Sequence, residues 1–210
     1  RTFNIASGAP RKGMRLLPVG TDCSVGKMYT ALAIHEEMVS RGIKATFRAT
    51  GQTGIFIAGE GVSVDAVIAD FISGATEWLS PSNDHDHWDI IEGQGSLYHA
   101  SYAGVTMGLI HGAQPDALVL CHEPTRSHMR GLPGHLIPDL KDCIRSNLDA
   151  ARLTNPKVEC IGVSINTKDL AKEDRDDYLA RIEDELKLPT VDPVLTGVGR
   201  VVDNLPAPCR

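Results

Sequence analysis

A doubly wound α/β fold, with a mostly parallel sheet and helices on both faces, is predicted by three observations. Short apolar runs recur at Leu16-Leu17-Pro18-Val19, Trp88-Asp89-Ile90-Ile91 and Ala117-Leu118-Val119-Leu120-Cys121, and runs this continuous suit strands buried on both faces. Segments with apolar residues at helical spacing stand between them. Glycine-rich or polar loops follow the runs, which gathers these loops at the carboxyl edge of the sheet, where such folds bind ligands.

In chain order, the first run ends at Gly20, and a helix is expected over 27–41 with Gly42 as its stop. Residues 43–50 read as a strand, because Ala45, Phe47 and Ala49 alternate with Lys44, Thr46 and Arg48. Residues 50–61 carry Gly51, Gly54, Gly59 and Gly61 and read as a flexible loop at that strand's carboxyl end. A helix is expected over 64–79, then a polar connection over 80–87 and a strand over 88–92 that runs into Gly93-Gln94-Gly95-Ser96. The strand over 117–121 ends in His122-Glu123-Pro124-Thr125-Arg126. A helix over 136–153, a strand over 158–165, a charged helix over 172–187 and a short strand at Thr190-Val191 complete the pattern. Crossovers between parallel strands are expected to be right-handed.

With 210 residues, 42% hydrophobic and 23% charged, the chain is long enough to bury a full core, and a single domain is expected over 16–210. Residues 1–15 are basic, contain glycine and proline and lack periodicity; they read as a linker from a preceding part of a longer protein. The formal net charge of -6 supplies no broad basic field, so neither nucleic acid nor a membrane surface is an expected partner. Five cysteines without a CxxC pair suit a reduced, cytoplasmic protein. No apolar run approaches the roughly 18–20 residues that span a bilayer.

The turn Gly20-Thr21-Asp22-Cys23-Ser24-Val25-Gly26-Lys27 matches G-x-x-x-x-G-K between a strand and a helix. Its glycines let backbone N–H groups face phosphates, the helix amino end adds partial positive charge, and Lys27 adds a full one. Met28 departs from the Ser/Thr that normally places a hydroxyl on a nucleotide's Mg²⁺. Thr30 lies two residues further round the helix and does not reach the same point. A loop that holds a pyrophosphate without a metal tolerates Met28, and coenzyme A carries such a pyrophosphate. Glu92, at a strand end beside a glycine turn, suits a general base or a Mg²⁺ ligand. His122, Glu123, Arg126, His128, Arg130 and His135 crowd one segment, where Arg126 and Arg130 can grip a carboxylate bidentately. His99, with Tyr102 nearby, can take a proton near neutral pH. No metal site is expected: Asp84-His85-Asp86-His87 precedes a strand's amino end, the wrong edge for the site.

The phosphate-loop motif and Glu92-Gly93-Gln94-Gly95 resemble those of dethiobiotin synthetases, which implies a P-loop NTPase-like fold. Gly51-Gln52-Thr53-Gly54-Ile55, Ile91-Glu92-Gly93-Gln94-Gly95-Ser96-Leu97 and Leu120-Cys121-His122-Glu123-Pro124 are similar to a family that includes bacterial D-glutamate N-acetyltransferases, and that likeness runs from Pro18 to about Asn204. It implies acetyl transfer from acetyl-CoA to the amino group of D-glutamate or a similar D-amino acid. Gly20, Thr21, Asp22, Cys23, Ser24, Val25, Gly26, Lys27 and Met28 would then hold the coenzyme A phosphates, while Arg48, Gln52, Gln94, Ser96, Arg126 and Arg130 hold the small-molecule substrate. Glu92, His99 or His122 would take the amine's proton, and backbone N–H groups of residues 93–96 would receive the thioester oxygen. The resemblance also implies a Rossmann-like amino-terminal domain of the same protein, and a homo-oligomer is expected. Two other readings stay open: an ATP-dependent ligase of the dethiobiotin synthetase type, using ATP with Mg²⁺, and a nucleotide-binding module without chemistry. Mg²⁺ dependence separates the ligase from the transferase, and lack of turnover marks the module.

Overall fold

A computed structural model describes residues 2–208. Arg1, Cys209 and Arg210, which the expected linker and domain include, lie outside the described residues. Six strands, β1 (Met14–Gly20), β2 (Ala45–Arg48), β3 (Trp88–Ile91), β4 (Ala117–His122), β5 (Glu159–Ile165) and β6 (Thr190–Val191), form one sheet in the order β2-β3-β1-β4-β5-β6. All its pairings are parallel. The chain crosses from β1 to the edge strand β2, returns through β3 beside β1, and then proceeds outward on the other side through β4, β5 and β6, so the carboxyl end of β1 lies at the switch of direction, where this architecture opens a crevice.

The helices are α1 (Lys27–Ser40), α2 (Gln52–Ala58), α3 (Ala69–Leu79), α4 (Ala103–Ala113), α5 (Leu140–Arg152), α6 (Arg175–Leu186) and α7 (Gly199–Asp203). Period-2 alternation sorts the strand side chains into two cores. Leu17, Val19, Ile91, Leu118, Leu120 and Val163 pack with Ala75 and Leu79 of α3, Leu109 and Ile110 of α4, Ala151 of α5 and Ile182 of α6. Met14, Leu16, Ile90, Val119 and Ile161 pack on the opposite face with Ala31, Ile34 and Met38 of α1 and Val201 and Val202 of α7. Among the described residues no helix is long and apolar enough to cross a membrane.

Several element boundaries differ from expectation. The glycine-rich stretch over 50–61 is not a flexible loop, since it contains α2. The helix expected over 64–79 is broken into a 3₁₀ turn (Val64–Ala66) and α3. The charged helix likewise starts as a 3₁₀ turn (Lys172–Asp174) before α6. Helix α5 begins at Leu140 rather than at 136, because the Asp139 side chain accepts the N–H groups of Lys141 and Asp142 and caps it there.

The amino-terminal residues are docked on the domain. Strand β1 starts at Met14, two residues before the expected boundary, and the segment ahead of it packs on α3. A Cβ on Gly74 would lie 1.8 Å from the Asn4 carbonyl oxygen, and Phe3 and Trp78 approach with ring centroids 5.7 Å apart. Arg11 donates to the carbonyls of Glu77 and Ser80 at the end of α3 and of Gly112 and Ala113 at the end of α4. One guanidinium thus satisfies two helix carboxyl ends and sits where both dipoles are negative. Burial, then the neighbouring Arg15, lowers its pKa to about 10, so it stays charged at neutral pH. Arg11→Met is expected to cost about 1.5–3 kcal/mol, the range for hydrogen bonds to a charged group, read as a lower midpoint in urea unfolding.

Candidate functional site

Between β1 and α1 the phosphate-loop motif forms a tight turn with left-handed backbone at Ser24 (φ 53°) and Gly26 (φ 105°). Helix α1 starts immediately after Gly26, so the N–H groups of its first turn are open toward the crevice. Lys27 folds back over this turn: its Nζ donates to the Asp22 carbonyl oxygen at 2.8 Å, and a Cβ on Gly20 would come within 3.0 Å of that Nζ. Burial depresses the pKa of Lys27.

The Asp22 carboxylate joins this loop to the one after β4. Its Oδ1 accepts the Cys23 N–H at 2.7 Å, and its Oδ2 accepts Arg126 Nη1 at 2.8 Å and the Arg130 N–H at 2.9 Å. Burial alone would raise its pKa, but the Arg130 N–H, the Arg126 guanidinium and the Cys23 N–H outweigh it and hold the pKa below the usual carboxylate value. Arg126 also donates to the carbonyls of Cys23 and Ser24, each at 2.8 Å, and pairs with Glu123 at 3.1 Å. Its guanidinium therefore shapes the phosphate loop from behind; the carboxylates it grips are the protein's own.

Arg130 is placed differently. Asp22 fixes its N–H, and its carbonyl accepts His99 Nε2 at 3.0 Å, while its exposed guanidinium has no hydrogen bond or ion pair among the described residues. Both ring nitrogens of His99 are engaged, since Nδ1 accepts the Ser101 N–H at 3.2 Å. This fixes the tautomer with the proton on Nε2. Asp22, Cys23 and His99 each bring a donor atom within 4.8 Å of the others, but Asp22 and His99 spend their polar atoms holding the two loops. The Cys23 thiol is pushed up by burial and by Asp22 beside it, which keeps it protonated.

His122 ends β4 against the phosphate loop, sharing a 2.9 Å hydrogen bond between its Nδ1 and Thr21 Oγ1. Burial lowers its pKa to about 4, so the ring is neutral at physiological pH. Ser96 Oγ donates to the Thr21 carbonyl at 3.1 Å and accepts the Tyr98 N–H, a structural link from β3's loop to the phosphate loop. Gly93 permits that approach, because a Cβ there would fall 1.8 Å from the Pro18 carbonyl oxygen.

Glu92 is buried, and its Oε2 accepts the N–H groups of Thr50 and Gly51 at 2.8 and 2.9 Å. Those donors lie just ahead of α2, whose other end closes on left-handed Gly59, so the carboxylate fixes the backbone that enters the helix. Oε1 of Glu92 has no hydrogen bond among the described residues. Gln94 donates to Thr50 Oγ1 at 3.2 Å, and Gln52 is exposed on the first turn of α2. Arg48 donates to Asp89 at 2.8 Å, a partner in mid-strand, so it faces away from the crevice and is not gathered with the other expected substrate contacts. Met28 is half-buried. Thr30 is turned into the sheet, hydrogen-bonded to Ser164 at 2.8 Å, and offers no hydroxyl to the loop.

Two cavities flank the phosphate loop. One, of about 520 Å³, is lined by Cys23, Ser24, Asp65, Gln94, Tyr102 and Arg130 among others. The other, of about 230 Å³, is lined by Gly26, Tyr29, Ser164, Asn166, Pro193 and Val194 among others. Asp65 was not expected here: in a helix over 64–79 it reads as an acidic first-turn residue serving the dipole, and only the break after Ala66 aims it at the cavity.

A pH dependence follows from His122. Its folded pKa, about 4, lies below its ordinary 6.5, so between these values the unfolded chain binds a proton that the folded one does not. Stability is then full above pH 6.5 and falls as pH drops toward 4, by at most about 1.4 kcal/mol per unit. His122→Gln is expected to flatten that slope in unfolding titrations across the window.

The family model described as Domain of unknown function (DUF1611_C) P-loop domain matches residues 4–202. The chain is 58% identical over 205 residues to a protein named D-glutamate N-acetyltransferase from Tritonibacter scottomollicae, and 53% identical over 203 residues to one of the same name from a Pseudoalteromonas species. These matches cover 98% and 97% of the chain but 62% and 61% of the relatives, so the chain spans about three-fifths of their length. A crystal structure of a DUF1611 family protein from Anabaena variabilis superposes with a TM-score of 0.90 at 36% identity, over 97% of this chain and 60% of that one. A nucleotide-binding protein from Archaeoglobus fulgidus, solved with ADP, superposes with a TM-score of 0.56 at 13% identity over 92% of this chain and 89% of that one, a likeness of fold. With a family model spanning nearly all the described residues and a family structure superposing on them, this chain belongs to the DUF1611 family, as its P-loop domain.

Proposed function

We propose that this chain is the acetyl-CoA-binding P-loop domain of a D-glutamate N-acetyltransferase. The observation that carries the reading is the 58% identity to a relative of that name across 98% of the chain. The loop chemistry supports it: Met28 and the inward-turned Thr30 leave no hydroxyl where a nucleotide's Mg²⁺ would need one, whereas a pyrophosphate needs only the loop N–H groups and Lys27. In this reading the pyrophosphate lies over the loop, the nucleotide base enters the cavity beside Tyr29 and Asn166, and the thioester arm runs into the cavity beside Gln94 and Arg130.

In the reaction the amine nitrogen attacks the thioester carbonyl carbon, the new C–N bond forms, the C–S bond breaks, and the coenzyme thiolate leaves. As the C–N bond forms the nitrogen sheds a second proton, released to solvent; the first, which the ammonium must lose before attack, is finally taken up by the departing sulfur. Of the three groups expected to accept that proton, both nitrogens of His99 are engaged and His122 is held neutral with a depressed basicity. Glu92 keeps Oε1 open, and it is the acceptor here. Backbone N–H groups of residues 93–96 receive the negative charge that develops on the carbonyl oxygen.

The test is thermal stabilisation of the purified protein by acetyl-CoA and by ATP, each with and without Mg²⁺. Stabilisation by acetyl-CoA without a metal requirement, lost in Lys27→Met, together with acetylation of D-glutamate, is the expected result. Stabilisation by ATP with Mg²⁺ alone would return the domain to ATP-dependent ligation.

A further inference from the structure

Two opposite charges line the larger cavity without neutralising each other. Among the described residues neither the Asp65 carboxylate nor the Arg130 guanidinium has a hydrogen bond or an ion pair, although both are lining groups of the same space of about 520 Å³. Each is presented by a fixed backbone. Asp65 lies on the 3₁₀ turn between buried Val62 and Val64 on one side and the start of α3 on the other; the Val62 and Val64 N–H groups donate to the carbonyls of Ala49 and Thr50 at 3.0 and 3.1 Å. That anchors the turn to the end of β2, beside the backbone that Glu92 grips. Arg130 is clamped at its N–H by Asp22 and at its carbonyl by His99. Ser24, Gln94 and Tyr102 are among the other lining residues.

We infer that this cavity is a zwitterion site in which Arg130 receives a carboxylate and Asp65 receives the ammonium of an α-amino acid, so that Asp65 selects the amine substrate. The inference rests on the acetyltransferase reading. Charges held apart by rigid elements keep their binding capacity for a ligand that carries both complementary groups, and an amino acid does so within one small molecule. The same carboxylate also discriminates against product. Once acetylated, the nitrogen is an uncharged amide, its attraction to Asp65 is gone, and the product is held more weakly than the substrate.

The experiment uses the whole protein as its organism makes it, with D-glutamate, N-acetyl-D-glutamate and glutarate as probes in calorimetric titration, alongside steady-state kinetics. Wild type should bind D-glutamate more tightly than N-acetyl-D-glutamate. Asp65→Asn should weaken D-glutamate, in Kd and in KM, by about tenfold or more, not weaken glutarate, which brings no ammonium, and abolish the preference for substrate over product. Stabilisation by acetyl-CoA should match wild type, which shows that the variant is folded and its phosphate loop intact, and Asp65→Glu should restore part of the loss. An Asp65→Asn protein that acetylates D-glutamate with unchanged KM, or that keeps the preference over the N-acetyl product, overturns the inference while leaving the acetyltransferase reading in place. A wild-type protein that neither binds acetyl-CoA nor acetylates D-glutamate overturns that reading itself.

Discussion

The arrangement of the crevice depends on the Asp22 carboxylate. It is fully buried, which would be costly for an isolated charge, and it persists as an anion because two backbone N–H groups and a guanidinium converge on it. Those donors come from two separate loops, so one group fixes both the curvature of the phosphate turn and the position of the loop after β4. The arginine that neutralises it adds bonds to the carbonyls of Cys23 and Ser24. The phosphate loop is therefore shaped from outside as well as by its own glycines.

The same device recurs across the sheet. Glu92, after β3, holds the backbone after β2; Ser96, further along that loop, holds Thr21 after β1; Asp22 holds the loop after β4; and the His122 carbonyl accepts the N–H of Asn166 after β5. Beyond that, Asp192 after β6 accepts Thr167 after β5 through both N–H and hydroxyl. These links follow the strand order from one edge to the other. A displaced loop would leave a buried polar group without its partner, a cost of about 1–3 kcal/mol at each step, and the crevice is correspondingly preorganised.

The strand pattern and the phosphate turn were legible because each is written locally: continuous apolar runs for buried strands, and fixed glycine and lysine spacing for the turn. Helix α2 was not, since its glycines read locally as a loop, and the backbone that enters it is fixed by a carboxylate about forty positions away. Helix α4 was passed over for another reason. With Gly104, Gly108 and Gly112 and a nearly uniform apolar composition it shows no amphipathic period, and Gly108 and Gly112 serve close packing on α3. Among site residues, spacing marked Arg126 and Arg130 as equals, and only their hydrogen bonds separate an arginine that builds the loop from one whose guanidinium has no partner among the described residues. Asp65 was hidden by a helix boundary, and Arg48 was read as a site group because its partner Asp89 cannot be recognised from the sequence alone.

Lys27 shows what such self-sufficiency asks of a ligand. Its ammonium is already bonded to the Asp22 carbonyl oxygen, and burial has lowered its basicity. Under the proposed function an arriving phosphate would not meet a bare cation; it would compete with an oxygen of the backbone. Binding at this position would be an exchange reaction. Its net yield would be the difference between two contacts, so a neutral or singly charged mimic would gain little from Lys27, whereas a pyrophosphate, carrying more charge at the same point, would gain most.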